Sequence, residues 1–164
     1  MALQLYKIAA VEVGSAGASS IDFTSIPSGY TDLVVKLSLR ADAVVSLLKM
    51  NINSSSANFT RKQLEGSGTA AASGSGSDNY IGYIDYSTLT ANTFSNTEVY
   101  IPNYASSNFK SISTDSVQEN NATAAYSSLF ASLWSQTAAI TSLSFNLASA
   151  NFVQYSTATL YGIL

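Results

Sequence analysis

Ten carboxylates and ten tyrosines are the side chains through which this sequence could do chemistry or recognise a ligand, for it contains neither histidine nor cysteine. Their absence excludes imidazole acid–base catalysis, Ser-His-Asp triads, thiolate nucleophiles and the usual zinc ligands. What remains for hydrolysis is a pair of facing acids, the equipment of a glycoside hydrolase. Glu12, Asp22, Asp32, Asp42, Glu65, Asp78, Asp85, Glu98, Asp115 and Glu119 stand singly, however, mostly at turns or on polar strand faces, as solvated surface acids do. Calcium would need several converging oxygens. Asp78-Asn79 near Asp85, and Asp115 with Glu119 and Asn120, are the candidates, but neither resembles a calcium loop, and turn-capping explains them. Gly66-Ser-Gly and Gly74-Ser-Gly lack the lysine and the strand-to-helix setting of a phosphate loop. No catalytic residue, no metal and no cofactor are expected.

The tyrosines point to recognition rather than reaction. Tyr, Trp and Phe dominate contact surfaces and stack on sugar rings. Tyr80, Tyr83 and Tyr86 are close in sequence; an extended chain puts Tyr80 and Tyr86 on one face and Tyr83 on the other, beside Ile81. They fill a core or contact a protein or glycan. Leu3, Leu5 and Tyr6 join them as candidate partner contacts, since a terminal strand can add to a neighbour's open sheet edge. The sequons Asn58-Phe-Thr and Asn121-Ala-Thr carry no weight without a secretory signal.

The elements that must hold these residues are strands. From Asp32 to Arg40, Leu33, Val35, Leu37 and Leu39 alternate with Val34, Lys36, Ser38 and Arg40, the period of a strand with one buried face. Pro27-Ser-Gly bounds it upstream. Further strands are expected over Leu3–Val13, Ser19–Thr24, Ser46–Asn53, Phe59–Glu65, Asn79–Tyr86, Thr93–Tyr100, Phe109–Val117, Tyr126–Trp134, Ile140–Ala148 and Thr157–Ile163. A helix over Ala41–Met50 is the main rival. Arg61, Lys62 and Glu65 suit an edge position for the Phe59 strand. Short strands separated by turns predict an all-β antiparallel sandwich, jelly-roll-like, with Trp134 and Phe145 in its core. A single domain over 1–164 is expected, with 1–18 as an N-terminal arm and the small-residue tract 66–78 as a flexible loop.

Only 10% of residues are charged, against about 25% in ordinary domains, while Ser, Thr and Asn make up about a third. A hydroxyl- and amide-covered surface repels copies of itself weakly, which suits oligomerisation or packing on another protein. The net charge of −3 offers no basic footprint for nucleic acid or an anionic membrane. There is no run of 18 apolar residues and no signal-peptide layout, so the chain is expected to be made in a cytosol.

Several segments in one order carry a resemblance. They are Ile21-Asp-Phe-Thr-Ser-Ile-Pro-Ser-Gly-Tyr-Thr-Asp-Leu-Val-Val, Thr90-Ala-Asn-Thr-Phe, Tyr100-Ile-Pro-Asn-Tyr, Glu119-Asn-Asn-Ala-Thr-Ala-Ala-Tyr, Leu133-Trp134 with Thr137-Ala-Ala-Ile-Thr, and Leu160-Tyr-Gly-Ile. Together they resemble a family of small β-rich virion structural proteins of tailed phages of aquatic bacteria, over nearly the whole chain. One loop departs from the pattern: Ile52-Asn-Ser-Ser-Ser-Ala-Asn-Phe59 lacks the Asp and Gly of the family's Phe-Asn-x-Asp-x-Gly-x-Asn-Tyr. The resemblance implies a non-enzymatic virion protein. A capsid decoration or cement protein, binding the major capsid protein as a homotrimer, is the favoured role, and a tail-associated or receptor-binding protein is the alternative.

Overall fold

The structure is a computed structural model that describes residues 4–121 and 125–164. Among these residues there are twelve strands and no helix: β1 (Leu5–Glu12), β2 (Ser20–Phe23), β3 (Asp32–Leu39), β4 (Leu47–Ile52), β5 (Phe59–Gly66), β6 (Ala71–Gly76), β7 (Tyr80–Tyr83), β8 (Ser95–Ile101), β9 (Lys110–Gln118), β10 (Tyr126–Trp134), β11 (Leu143–Asn146) and β12 (Thr157–Ile163). Four nested antiparallel pairs, β1 with β12, β2 with β11, β3 with β8 and β4 with β7, place strands in the orders β1-β12-β3-β8 and β2-β11-β4-β7. That nesting is the jelly-roll pattern. Two further hairpins, β5–β6 and β9–β10, are inserted into it and extend the first sheet to eight strands, β1-β12-β3-β8-β9-β10-β5-β6.

The alternation in β3 does what its period predicts. Leu33, Val35, Leu37 and Leu39 are no more than 2% exposed and share one core with Leu48, Met50 and Ile52 of β4, Phe145 of β11 and Trp134 of β10. Phe23 meets Phe145 edge to face at 6.4 Å. Val34, on the other side of β3, is buried too, because its cross-strand neighbours are Tyr100 and Tyr161. Where β7 crosses β9 the sheets approach closely, and Gly82 permits it: a Cβ there would stand 2.7 Å from Ser116 Oγ. The Ser116 hydroxyl then links the sheets, donating to the Tyr83 carbonyl at 2.9 Å and accepting the Tyr83 N–H at 3.1 Å.

Four expectations from sequence are corrected. The tract 66–78 is mostly not a loop: Ala71–Gly76 is β6, paired along its length with β5, Ser67–Ala70 turns between them with Gly68 at φ 83°, and Ser77–Asp78 bends towards β7. Small residues bury little, but strand pairing runs through backbone groups that every non-proline residue carries. Consequently β5 lies inside the sheet, and β6 takes the edge. The segment 1–18 is not an arm detached from the domain. β1 pairs with β12 and Ala18 bridges to Phe152, while residues 1–3, including Leu3, lie outside the described residues. Finally, Tyr83 does not lie opposite Tyr80: a bulge between Leu48 and Lys49 in the β4–β7 pairing shifts the alternation by one residue.

Among the described residues two cations are buried without a carboxylate partner. Arg40 donates to the carbonyls of Leu89, Thr90 and Thr93, closing the loop before β8. Lys110 does the same for the turns around Ser106 and Ala138.

Candidate functional site

The inserted strands create both surfaces on which function can be argued. The inward side of β5 meets the rim of the smaller sheet in a cluster of aromatic and polar groups. Arg61 Nε lies 2.6 Å from Asp78 Oδ1, and its guanidinium sits 5.7 Å from the Tyr80 ring centre and 5.9 Å from that of Phe130. Tyr83 stacks on Tyr126 at 4.8 Å and donates its hydroxyl to Glu65 Oε2 at 2.7 Å, where Gln63 Nε2 also donates at 2.8 Å. The shifted alternation of β7 is what puts Tyr80 and Tyr83 on the same cluster.

This arrangement holds its groups rather than activating them. Burial, then the hydrogen bond to Glu65, pushes the Tyr83 hydroxyl up to about 12. A phenol so raised stays protonated at neutral pH and acts as a donor, not as a base. The folded state holds this proton more tightly than the unfolded chain does, so Tyr83's contribution to stability is complete below about pH 10 and is lost as pH rises towards 12. Tyr83→Phe should therefore remove one late-titrating phenol from an absorbance titration at 295 nm and flatten the loss of stability between about pH 10 and 12. An unchanged titration curve would refute the assignment.

The remaining expected contacts lie elsewhere. Tyr86 packs against the core beyond the end of β7. Tyr6 donates to Gln4 Oε1 at 3.0 Å and lies 6.1 Å from Tyr30, whose ring covers Gly162. Leu5 is 41% exposed on β1, at the far edge of the sheet. Tyr83 stacks on Tyr126 of β10, which is five strand spacings of about 4.8 Å, roughly 24 Å, from β1, so Leu5 and Tyr6 do not share a site with Tyr80 and Tyr83.

A second surface escaped the sequence reading. On the outer face of the inserted strands Leu64 and Leu129 are cross-strand partners, each 56% exposed, and Leu133 follows two rows along β10 at 36%. Phe109, 57% exposed, stands just before β9 at the Leu133 end. These are four of the eight large apolar side chains exposed among the described residues, so half of that exposure lies together. Leu64, Leu129 and Ala131 floor a shallow groove of about 430 Å³ rimmed by Lys62 on the β5 side and Asp115 on the β9 side. Next to it, Glu98 and Asp115 face each other across β8 and β9, which corrects the reading of all acids as solitary. Lys36 pairs with Glu98 at 2.7 Å, and Asp115 has no ion pair among the described residues. With Lys36, Asn96 and Val117 the facing acids line a pocket of about 190 Å³, smaller than the roughly 300 Å³ at which ligand sites begin. β10 did carry the signal: in Tyr-Ser-Ser-Leu-Phe-Ala-Ser-Leu-Trp, apolar residues occupy both phases of the alternation.

No protein family, curated protein or solved structure matches the chain.

Proposed function

We propose that this chain is a non-enzymatic structural protein of a tailed-phage virion, a capsid decoration or cement protein that stabilises the head by binding across copies of the major capsid protein. The observation that carries the reading is the exposed apolar stripe of Leu64, Leu129 and Leu133, laid on a sheet that two inserted hairpins widen beyond a jelly-roll core. Contiguous apolar exposure of this kind marks a protein-contact surface. Its surroundings are serines, threonines and alanines with few charges, a composition suited to docking on a repeated protein lattice, where many weak contacts add by avidity. The ordered segments from Ile21 to Leu160-Tyr-Gly-Ile163 support the virion assignment through the resemblance they carry. Self-association, with three copies as the number the resemblance implies, belongs to the same reading. Neither nucleic acid nor a membrane is a proposed partner.

Counting copies per purified particle and localising them with an antibody tests it. Hundreds of copies over the head are expected. A few to a few dozen at the tail would replace decoration with the tail-associated or receptor-binding role, with Tyr80 and Tyr83 near the contact.

A further inference from the structure

We propose that the outer face of the larger sheet from β3 to β6, centred on β9, β10 and β5, binds a second copy of this chain, the β5 flank of one copy meeting the β9 flank of the next. The inference rests on the self-association in the reading above, but not on any place in a virion.

Three features select this occupant. The first is the stripe: Leu129 and Leu133 from β10 and Leu64 from β5 stand exposed on a face whose other members are mostly small or polar, such as Ser111, Ser113, Ala131, Ser127 and Ser73. Small neighbours leave the leucines proud of the sheet, so a flat partner can reach them without meeting bulky side chains.

The second is the placement of charge. Lys62 lies on one flank of the stripe and Asp115 on the other; neither has an ion pair among the described residues. Asp115 also faces Glu98 directly across the β8–β9 pair, and like charges in register repel. The Lys36 ammonium that offsets this is engaged by Glu98. The β9 flank is thus short of one cation, and the β5 flank has one to spare. Opposite flanks of opposite sign are what a ring or pair of identical copies needs, because each plus side then meets a minus side.

The third is size. Six neighbouring strands, from β3 to β6 in the sheet order, give an outer face about 29 Å wide and about 25 Å long, roughly 700 Å². That is close to the roughly 800 Å² each partner contributes to a standard interface.

Light scattering and sedimentation on the purified full chain at about 10–100 µM test the proposal. The wild type is expected to assemble, and Leu129→Asp to run as a folded monomer of 17.2 kDa. Because Leu129 is exposed within one chain, circular dichroism should be unchanged in that variant, and its unfolding midpoint should match that of the wild type diluted until it is monomeric. Lys62→Asp or Asp115→Lys alone should weaken assembly by about tenfold or more, and the double variant should recover most of the loss, since the swapped charges again meet across copies. A wild type that is monomeric at about 100 µM would overturn the proposal and assign the stripe to a different protein. It would be overturned equally by a Leu129→Asp variant that assembles unchanged, or by a charge swap no stronger than either single variant. Particle counts are a separate measurement, so failure here and failure of the virion assignment are distinguishable.

Discussion

Leu37→Ala is expected to destabilise the domain by about 2–5 kcal/mol. Leu37 sits on β3, inside the larger sheet, at 2% exposure. Its cross-strand partners are Ala158 and Thr97. Neither can swing a long side chain into the space left behind, so the cavity should persist, and the loss should fall in the upper half of that range. One residue earlier, Lys36 is exposed and paired with Glu98, and Lys36→Ala should change stability by no more than about 1 kcal/mol. Urea unfolding of the two variants measures the contrast. A Leu37→Ala effect below about 0.5 kcal/mol would show that the assigned face of β3 is wrong.

Lys110→Met should cost about 2–4 kcal/mol although it removes a charge from the interior. Lys110 is 1% exposed, and its ammonium donates to the carbonyls of Ser106 and Asn108, both at 2.7 Å, and of Ala138 at 2.8 Å, while lying 5.7 Å from the Trp134 ring centre. Two effects compete. Burial disfavours the charge and lowers the pKa of Lys110 below the usual lysine value, whereas three carbonyls would lose a shared donor in the variant. Methionine matches the side chain's length but returns no donor; water reaches the exposed Asn108 and Ala138 turns and restores part of the bonding, so the loss is that of about one hydrogen bond to a charged group or slightly more, at roughly 1.5–3 kcal/mol each, and the carbonyls should still win. The pH dependence separates the terms. Because the folded state holds this proton less tightly than the unfolded chain, the wild type should gain stability as pH rises from the lowered value towards 10.5, and the methionine variant should lack that gain. Equal stability of the two proteins at pH 7 would mean that desolvation cancels the hydrogen bonds.

Asparagine use shows how composition reaches the fold. Asn53, Asn58, Asn92, Asn103 and Asn121 all take positive φ, the conformation that asparagine tolerates best among non-glycine residues. Asn53 also ties two turns together, accepting from the Thr141 N–H at 2.8 Å and donating to the Ala139 carbonyl at 2.8 Å. The amide-rich composition thus serves turns as well as surface.

The sequence by itself determined the class, most of the strands and the core. Period two in Leu33–Leu39 and Leu143–Leu147 reports burial on one face, and burial follows directly from side-chain chemistry. Absence of histidine and cysteine closed whole classes of catalysis for an equally local reason. What the tertiary structure alone decided is everything that depends on pairing partners. Strand β6 has no side-chain signal, because its stabilisation comes from backbone bonds to β5. Glu98 and Asp115, seventeen positions apart, become neighbours only through the β8–β9 register. Tyr83 joins Tyr80 because one bulge resets the alternation. Leu64 and Leu129 form a surface only because the two inserted hairpins lie side by side. Such juxtapositions are properties of register between distant segments, and local periodicity carries no information about register.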